Sequence, residues 1–218
     1  RLGQIGKRAN VSTYLDSALT AQDVLDFGAD HVVIATGCHW RRDGFGRTHG
    51  MGIADFAGNA RVFTPDDLMD GRWPEGRVVV YDDDYFYTAS VLAEALRLRG
   101  CEVTYLTPDD TIASWSANTL DYRHVQWRMA ELGVTQRVSH MVTGYTGTTL
   151  ALEQVWNGAT SALDCDAVVL VTSRLPDDAL YQALKAREPE WADAGVRNVA
   201  CIGDALAPGL IVHAVYAG

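Results

Sequence analysis

Three consecutive aspartates, Asp82, Asp83 and Asp84, lie where a strand is expected to give way to a helix. The surrounding stretch RVVVYDDDYFYTASVLAEALRLRGCEVTYLTP (77–108) has the order of a dinucleotide-binding strand, helix and strand. Such units bind a diphosphate through backbone N–H groups that glycines leave open, but no glycine occurs here before Gly100. A carboxylate about 4 Å from a phosphate charge costs roughly 1 kcal/mol in water and more in a buried site. The three carboxylates are therefore expected to exclude a diphosphate.

These aspartates have three interpretations. The favoured one is a degenerate nicotinamide site that the chain fills with its own carboxylates, which also suit the positive end of the next helix, and one of which caps that helix. A phosphate site that holds Mg²⁺ or Ca²⁺ is the second interpretation. A solvated acidic turn with no ligand is the third.

Two other strand ends carry residues that suit a ligand. They are the ends of HVVIATG (31–37) and NVACIGDA (198–205). Ligands of open α/β sheets bind at the carboxyl ends of the strands, where glycine lets the backbone approach and a carboxylate accepts hydrogen bonds from hydroxyls. A plain glycine turn and an N-capping aspartate are the structural alternatives. The predicted cofactor-binding residues are Thr36, Gly37, Gly203 and Asp204.

The segment HWRRD (39–43) follows the first of these turns and could hold an adenine nucleotide, because guanidinium groups pair with phosphates and Trp40 offers a flat face. An exposed loop that packs on another part of the protein is the alternative. Nothing in the chain matches a nucleophile elbow, a zinc-protease motif or a phosphate-binding P-loop. We therefore predict no catalytic residue and no metal ligand here.

The four cysteines are far apart, with no C-x-x-C pair that could hold zinc or an iron–sulfur cluster. They are expected to be reduced, small apolar side chains of a cytoplasmic protein. Their positions are Cys38, Cys101, Cys165 and Cys201.

Short β-branched runs alternate with helical stretches, which predicts an α/β fold. Strands are expected at NVSTYLDS (10–17) and at 31–37, the latter covered on both faces. Helices are expected after Thr20, with Gly28 as the stop, and after Thr64. Further along the chain a helix is expected at 114–133, an antiparallel meander at 140–166, a buried strand at 167–176 and a helix at 178–187.

The linker DGRWPEG (70–76) predicts a domain boundary near residue 75. Residues 75–176 then form a degenerate NAD(P)-binding-like Rossmann domain. That domain is inserted between two pieces of another domain, residues 1–74 and 177–218.

The composition of the chain limits the kinds of molecule that it can bind. The 218 residues are 48% hydrophobic and 21% charged, which is ordinary for a soluble protein, and no apolar run reaches the roughly 18 to 20 residues that cross a bilayer. A formal charge of −10 argues against nucleic acid or an anionic membrane as a partner. The chain begins without Met or a signal peptide, so we expect it to be a piece of something longer.

The order of these segments resembles the flavoproteins of the glutathione reductase type, which have two dinucleotide domains. This resemblance implies that residues 1–74 and 177–218 form a partial FAD/ADP-binding-like domain. More narrowly, ATGCHWRRDGFGRTH (35–49), VVVYDDDYFYTASVLAEAL (78–96), LKAREPEWA (184–192) and IGDALAPGLI (202–211) resemble the trimethylamine and histamine dehydrogenase family. The similarity covers nearly the whole chain. The part of those iron–sulfur flavoprotein amine dehydrogenases that the chain resembles is their carboxyl-terminal half.

The resemblance implies that an upstream (β/α)8 barrel with FMN and a 4Fe-4S cluster oxidises an amine such as trimethylamine, dimethylamine or histamine. Electrons then pass to an electron-transferring flavoprotein. The present half is implied to be a structural relic of a reductase that holds ADP near Thr36, Gly37, Gly203 and Asp204 and is inactive alone. The full-length protein is expected to be a homo-oligomer.

Two alternatives remain open. The chain could belong to an NAD(P)H-dependent reductase similar to 2,4-dienoyl-CoA reductase, although Ser173 stands where that pattern prefers glycine. It could also be a non-catalytic module whose acidic face docks an electron-transfer partner, in which case association should weaken with salt.

Overall fold

The computed structural model describes residues 2–217. Within this range it has seven α-helices, three short 3-10 helices and twelve β-strands. The α-helices are α1 Leu2–Ile5, α2 Ala21–Phe27, α3 Pro65–Met69, α4 Thr88–Leu98, α5 Tyr122–Glu131, α6 Ala179–Lys185 and α7 Ile211–Ala217. The 3-10 helices are Ser114–Ala117, Glu188–Glu190 and Gly203–Ala205. The strands are β1 His31–Ile34, β2 Cys38–Trp40, β3 Val62–Phe63, β4 Arg77–Asp82, β5 Glu102–Leu106, β6 Thr135–Arg137, β7 His140–Tyr145, β8 Thr149–Gln154, β9 Thr160–Asp164, β10 Ala167–Val171, β11 Arg174–Pro176 and β12 Asn198–Cys201.

The chain forms two compact units. One consists of residues 1–38 and 176–218, and the other of residues 39–175. The predicted α/β fold with a parallel sheet is confirmed. The sequence placed the first boundary near residue 75, whereas residues 39–74 group with the residues that follow them. The physical reason is that β3 pairs with β10, so this segment supplies an edge of the same sheet.

The unit of residues 39–175 is built on a five-stranded sheet in the order β3-β10-β4-β5-β6, with every pair parallel. From β4 the chain moves outward through β5 to β6 and then returns to β10 on the other side of β4, as in doubly wound sheets, while the earlier strand β3 forms the edge beside β10. Leu92 and Leu96 of α4 and Met129 of α5 belong to one core cluster on this sheet. The antiparallel meander β7-β8-β9 was predicted correctly, and its residues Val142 and Leu150 belong to a second cluster.

The two central strands explain why this sheet is stable. All five residues of β10 are buried, and so are five of the six residues of β4. A strand covered on both faces needs a continuous apolar run rather than alternation, which is what β10 and most of β4 have. The two buried clusters therefore sandwich β4 and β10 and hold their carboxyl ends in a defined place.

The unit of residues 1–38 and 176–218 contains the parallel pair β1 and β12, which extends from His31 opposite Asn198 to Ile34 opposite Cys201. Its core includes Val24, Leu25, Ile34, Leu184 and Trp191. The predicted limits of α2 are confirmed, since Thr20 forms a capping box with Asp23 and Gly28 ends the helix at φ +67°.

Three expectations for local structure were wrong. Residues 10–17 form no strand, because their alternating pattern has no partner strand to pair with. β1 is a strand but is not covered on both faces, since Val33 is 58% exposed. In the segment 114–133, α5 begins only at Tyr122, after a 3-10 turn at Ser114–Ala117.

The cysteines form no disulfide, and all four lie within the described residues. Cys101 and Cys165 are buried, as expected of small apolar side chains, whereas Cys38 and Cys201 are half-buried. Burial raises the pKa of the Cys165 thiol to about 11. This thiol is therefore not poised to react near neutral pH.

The Thr20→Ala variant is expected to lower the free energy of unfolding of its unit by about 1 kcal/mol, because the Thr20 hydroxyl accepts from the backbone N–H of Asp23 at 3.3 Å. Hydrogen exchange of the α2 amides measures this loss. Thr13→Ala, in exposed irregular chain, is the control. Equal protection of α2 in both variants would contradict the capping role.

Candidate functional site

The carboxyl ends of β4 and β10 form the switch point of the five-stranded sheet, where the strand order reverses and ligands of such sheets bind. β4 pairs with β10 from Val78 opposite Ala167 to Asp82 opposite Val171. The Asp83 N–H continues this pairing by donating to the Val171 carbonyl at 2.9 Å. The three aspartates therefore lie at the position where a dinucleotide diphosphate would approach.

Asp82 is fully buried on the face covered by α4. One carboxylate oxygen accepts from the backbone N–H groups of Asp84 at 3.1 Å and Tyr85 at 2.9 Å. The other accepts from the Tyr105 hydroxyl at 2.6 Å. Burial raises the pKa of Asp82 to about 7, although the hydrogen bonds from Tyr105 and Tyr85 favour its charged form.

Asp83 is also fully buried, but its side chain is held by a different part of the chain. Its carboxylate accepts from the backbone N–H of Thr48 at 3.0 Å and of His49 at 3.4 Å. The Tyr85 hydroxyl donates to it at 2.7 Å and lies 2.5 Å from the Thr48 hydroxyl. A loop some 35 residues earlier in sequence thus surrounds this carboxylate.

Asp84 is 7% exposed. Its carboxylate lies 3.9 Å from the guanidinium of Arg47. Burial raises its pKa, while the positive charges of Arg174 and Arg47 oppose that shift. The guanidinium of Arg47 also lies over the rings of Tyr85 and Phe86, at 5.9 and 5.4 Å from their centres. Arg47 therefore joins its loop to the residues that follow β4.

The expectation that one of these aspartates caps α4 is wrong. The helix begins at Thr88, its N-cap residue is Tyr87, and no acidic residue lies in its first turn. Tyr85 adopts φ +71°, and the turn around it separates the aspartates from the helix. The solvated acidic turn is also ruled out, because all three side chains are buried. Within residues 2–217 no three His, Cys, Asp or Glu side chains are grouped to hold a metal.

The loop of residues 41–49 extends across both strand ends. The Arg41 N–H donates to the Ser173 carbonyl at 2.9 Å, and the Ser173 hydroxyl donates to the Phe45 carbonyl at 2.6 Å. Together with the contacts to Asp83, these bonds connect the loop to the end of β4 and to the end of β10. The glycine content of this segment predicts a long irregular surface connection, but it did not predict that the loop contacts Asp83.

A pocket of about 460 Å³ lies beside this loop, and the predicted adenine-binding segment 39–43 lines part of it. Its three arginines are already paired with carboxylates. Arg42 donates to both oxygens of Asp67 at 2.6 and 2.5 Å, Arg72 donates to the same carboxylate, and Arg41 pairs with Asp43. The guanidinium of Arg174 lies 5.3 Å from the centre of the Trp40 ring. Asp66 also lines the pocket, so the three arginines are balanced by three carboxylates, those of Asp43, Asp66 and Asp67. The pocket therefore has no net positive charge that would attract a phosphate.

Asp67 is the centre of the pairing in this pocket and is fully buried. Burial would raise its pKa, but hydrogen bonds from Arg42 and from the Thr64 backbone hold the pKa below its usual value. The Thr64 N–H donates to it at 2.8 Å, in a capping box that begins α3 as predicted. The Asp67 carboxylate therefore pairs with both Arg42 and Arg72 and also caps the first turn of α3.

The four predicted cofactor-binding residues meet at one edge of the other unit. Thr36 and Gly37 follow β1, and Gly203 and Asp204 follow its partner β12. The Thr36 hydroxyl donates to the Asp177 carbonyl. Gly37 adopts φ +87°, and a Cβ there would meet open space.

Asp204 is half-buried, and its carboxylate accepts from the Gly209 N–H at 3.0 Å and lies 3.4 Å from the Cys38 thiol. The edge thus offers a carboxylate acceptor beside a glycine that leaves space. Such an arrangement suits hydroxyl groups of a ribose more than phosphates, because none of the four residues is a cation. Their role as cofactor-binding residues remains a prediction.

Comparison with known proteins identifies the class. Residues 7–218 match the model of the pyridine nucleotide-disulphide oxidoreductase family, so the chain belongs to that family.

Among its relatives, the dimethylamine dehydrogenase of Hyphomicrobium sp. (strain x) is 34% identical over 92% of this chain and 30% of that protein. Two solved structures are also similar. One is histamine dehydrogenase from Rhizobium sp. 4-9, with 43% identity, a TM-score of 0.94 and coverage of 99% of this chain and 32% of that chain. The other is 6-hydroxypseudooxynicotine amine oxidase from Pseudomonas geniculata N1, with 41% identity, a TM-score of 0.92 and coverage of 99% and 32%. The predicted resemblance to amine dehydrogenases is confirmed, and the chain spans about a third of the length of these relatives.

None of the described helices combines the length and the apolar character that crossing a bilayer requires.

Proposed function

We propose that these 218 residues are the carboxyl-terminal part of a cytoplasmic amine-oxidising flavoprotein. Three relatives named for reactions of amines support this, each at 34% to 43% identity over at least 92% of this chain. The chemistry would take place in an amino-terminal barrel that carries FMN and a 4Fe-4S cluster. Electrons would pass from there to an electron-transferring flavoprotein, and the whole protein would be a homo-oligomer.

Within this proposal the unit of residues 39–175 does not use a nicotinamide dinucleotide. The observation that carries this point is the burial of Asp82, Asp83 and Asp84 at the switch point, under a loop of the same unit. A diphosphate there would meet carboxylates in place of open backbone N–H groups. The unit therefore serves as a scaffold, and an NAD(P)H-dependent reductase is the less favoured function.

The unit of residues 1–38 and 176–218 would hold ADP. Asp204 would accept from ribose hydroxyls, and Gly37 would let the ligand approach the backbone. The phosphates would need donors other than Thr36, Gly37, Gly203 and Asp204, since none of these is a cation. ADP would contribute binding energy to the fold and no redox chemistry.

The test of the amine-oxidising function uses the complete protein from its full reading frame. Dimethylamine, trimethylamine and histamine are each supplied with an artificial electron acceptor, and NAD(P)⁺ replaces that acceptor in a parallel assay. We expect reduction of the artificial acceptor by at least one amine and no formation of NAD(P)H. Amine-independent oxidation of NADPH would instead favour the reductase.

The nucleotide prediction is tested on the 218-residue chain by thermal unfolding. We expect ADP at about 100 times its Kd to stabilise the folded state by about 2.7 kcal/mol and NADPH to give no shift. The Asp204→Ala variant should lose the ADP effect, while Asp193→Ala, an exposed aspartate of the same unit, should keep it. Stabilisation by NADPH in the unaltered chain would contradict the proposal.

A further inference from the structure

The loop of residues 46–49 surrounds the Asp83 carboxylate with its backbone N–H groups. The Gly46 N–H donates to the His49 carbonyl at 3.0 Å and closes the loop. The Thr48 and His49 N–H groups then both point to one carboxylate oxygen, at 3.0 and 3.4 Å. The Tyr85 hydroxyl donates to the other oxygen. Converging backbone N–H groups of this kind are how proteins bind small anions.

Gly46 shows that the fit between the loop and the carboxylate is close. A Cβ at this residue would lie 2.0 Å from the Asp83 carboxylate oxygen and 2.7 Å from its carboxyl carbon. Neither separation is compatible with a real side chain. Only glycine therefore lets the loop backbone contact the carboxylate, which is the requirement that glycines meet at phosphate sites.

The same loop is tied to the neighbouring strand end through Ser173, whose hydroxyl donates to the Phe45 carbonyl. The loop therefore lies across the switch point, with Asp83 beneath it. A second contact on the outside comes from Arg47, which lies over Tyr85 and beside Asp84.

The geometry points to an internal latch: Asp83 is a built-in anionic ligand that holds residues 46–49 over the ends of β4 and β10. The latch closes the place that a dinucleotide diphosphate would need. When the carboxylate is removed, the loop binds a small free oxyanion such as formate. This inference does not depend on amine oxidation, because every contact lies within residues 39–175.

The first test opens the latch without changing Asp83. In the Gly46→Ala variant the new methyl group must displace the carboxylate, and Gly50→Ala is the matched control because a Cβ at Gly50 meets nothing within 4 Å. Trypsin cleaves after Arg47, the residue before the Thr48 N–H that Asp83 binds. We expect cleavage at Arg47, followed by mass spectrometry, to be about tenfold faster in Gly46→Ala, because the open loop becomes more populated. The rate in Gly50→Ala should match that of the unaltered chain.

Equal rates at Arg47 in the two glycine variants would overturn the inference. If trypsin cleaves Gly46→Ala at all of its sites at similar rates, the variant is unfolded as a whole. Asp83→Asn is then tested instead, because asparagine keeps the shape of the aspartate side chain and removes its charge.

The second test is rescue by an anion. In Asp83→Ala, formate at twice its Kd should slow cleavage at Arg47 about threefold, whereas chloride at the same ionic strength should not. In Asp83→Leu the larger apolar side chain fills the space, so formate should have no effect. Equal responses of the alanine and leucine variants to formate, or none in either, would show that the loop does not bind an anion.

Discussion

Replacing Asp82 by asparagine is expected to raise the free energy of unfolding by about 2 to 4 kcal/mol at pH 8 and to change it little at pH 4. Burial raises the pKa of this carboxyl group to about 7, compared with about 3.9 for an aspartate in an unfolded chain. An asparagine has no charge to desolvate. Its carbonyl can accept from the Asp84 and Tyr85 N–H groups, and its amide can donate to the Tyr105 oxygen.

The direction of the pH dependence follows from proton binding. Between about pH 4 and pH 7 the folded chain keeps a proton on Asp82 that the unfolded chain has released. The contribution of Asp82 to stability is therefore fully present below about pH 4 and is lost as the pH rises to about 7. Urea unfolding of the unaltered chain and of Asp82→Asn, at pH values across this window, measures the difference.

Asp83→Asn is the matched control. The Asp83 side chain is as buried as that of Asp82, but it accepts hydrogen bonds from the backbone N–H groups of Thr48 and His49. This variant should be less stable than the unaltered chain and should keep the slope that Asp82 causes. If Asp82→Asn retained the full decline between pH 4 and pH 7, the assignment of that decline to Asp82 would be incorrect.

Replacing Asp67 by alanine is expected to lower the free energy of unfolding by about 2 to 4 kcal/mol at pH 7. The variant loses the cap of α3, worth about 1 kcal/mol, and leaves Arg42 and Arg72 without their shared carboxylate. The arginines are partly exposed, with 37% and 62% of their side-chain surface accessible, so solvent limits the loss. Urea unfolding at pH 7 measures it.

The exposed Asp70 at the end of the same helix supplies the control, and Asp70→Ala should change stability by no more than about 0.5 kcal/mol. The pH dependence has the opposite sign to that of Asp82. Because hydrogen bonds from Arg42 and Thr64 lower the pKa of Asp67, its stabilising effect is present above about pH 4 and is lost as the pH falls through the folded pKa. A similar loss in both alanine variants would show that the paired arginines do not need Asp67.

Sequence patterns predicted the elements whose signals are local. The continuous apolar run of β10, the capping boxes that begin at Thr20 and Thr64, and the turns of the meander each depend on residues a few positions apart. The strand predicted from the alternating pattern of residues 10–17 is absent, because a strand also needs a partner strand, which no local pattern specifies.

The candidate site was only partly readable from the chain. The meeting of residues 36–37 with residues 203–204 follows from the rule that parallel strands end at the same edge. No such rule predicts which residues each aspartate side chain contacts. Successive side chains at the end of β4 point to opposite faces, so Asp82 meets Tyr105 while Asp83 meets Thr48 and His49.

The sequence by itself determined that this chain has an α/β fold, a dinucleotide-type strand and helix without phosphate-binding glycines, and the motifs of an amine dehydrogenase relative. Only the tertiary structure decided that the aspartates are buried, that a loop 35 residues away holds Asp83, and that residues 39–74 complete the second unit. The physical reason is that helix caps and turns arise from neighbouring residues. Burial and pairing of charges depend on which distant backbone groups the packed sheet brings to the same strand end.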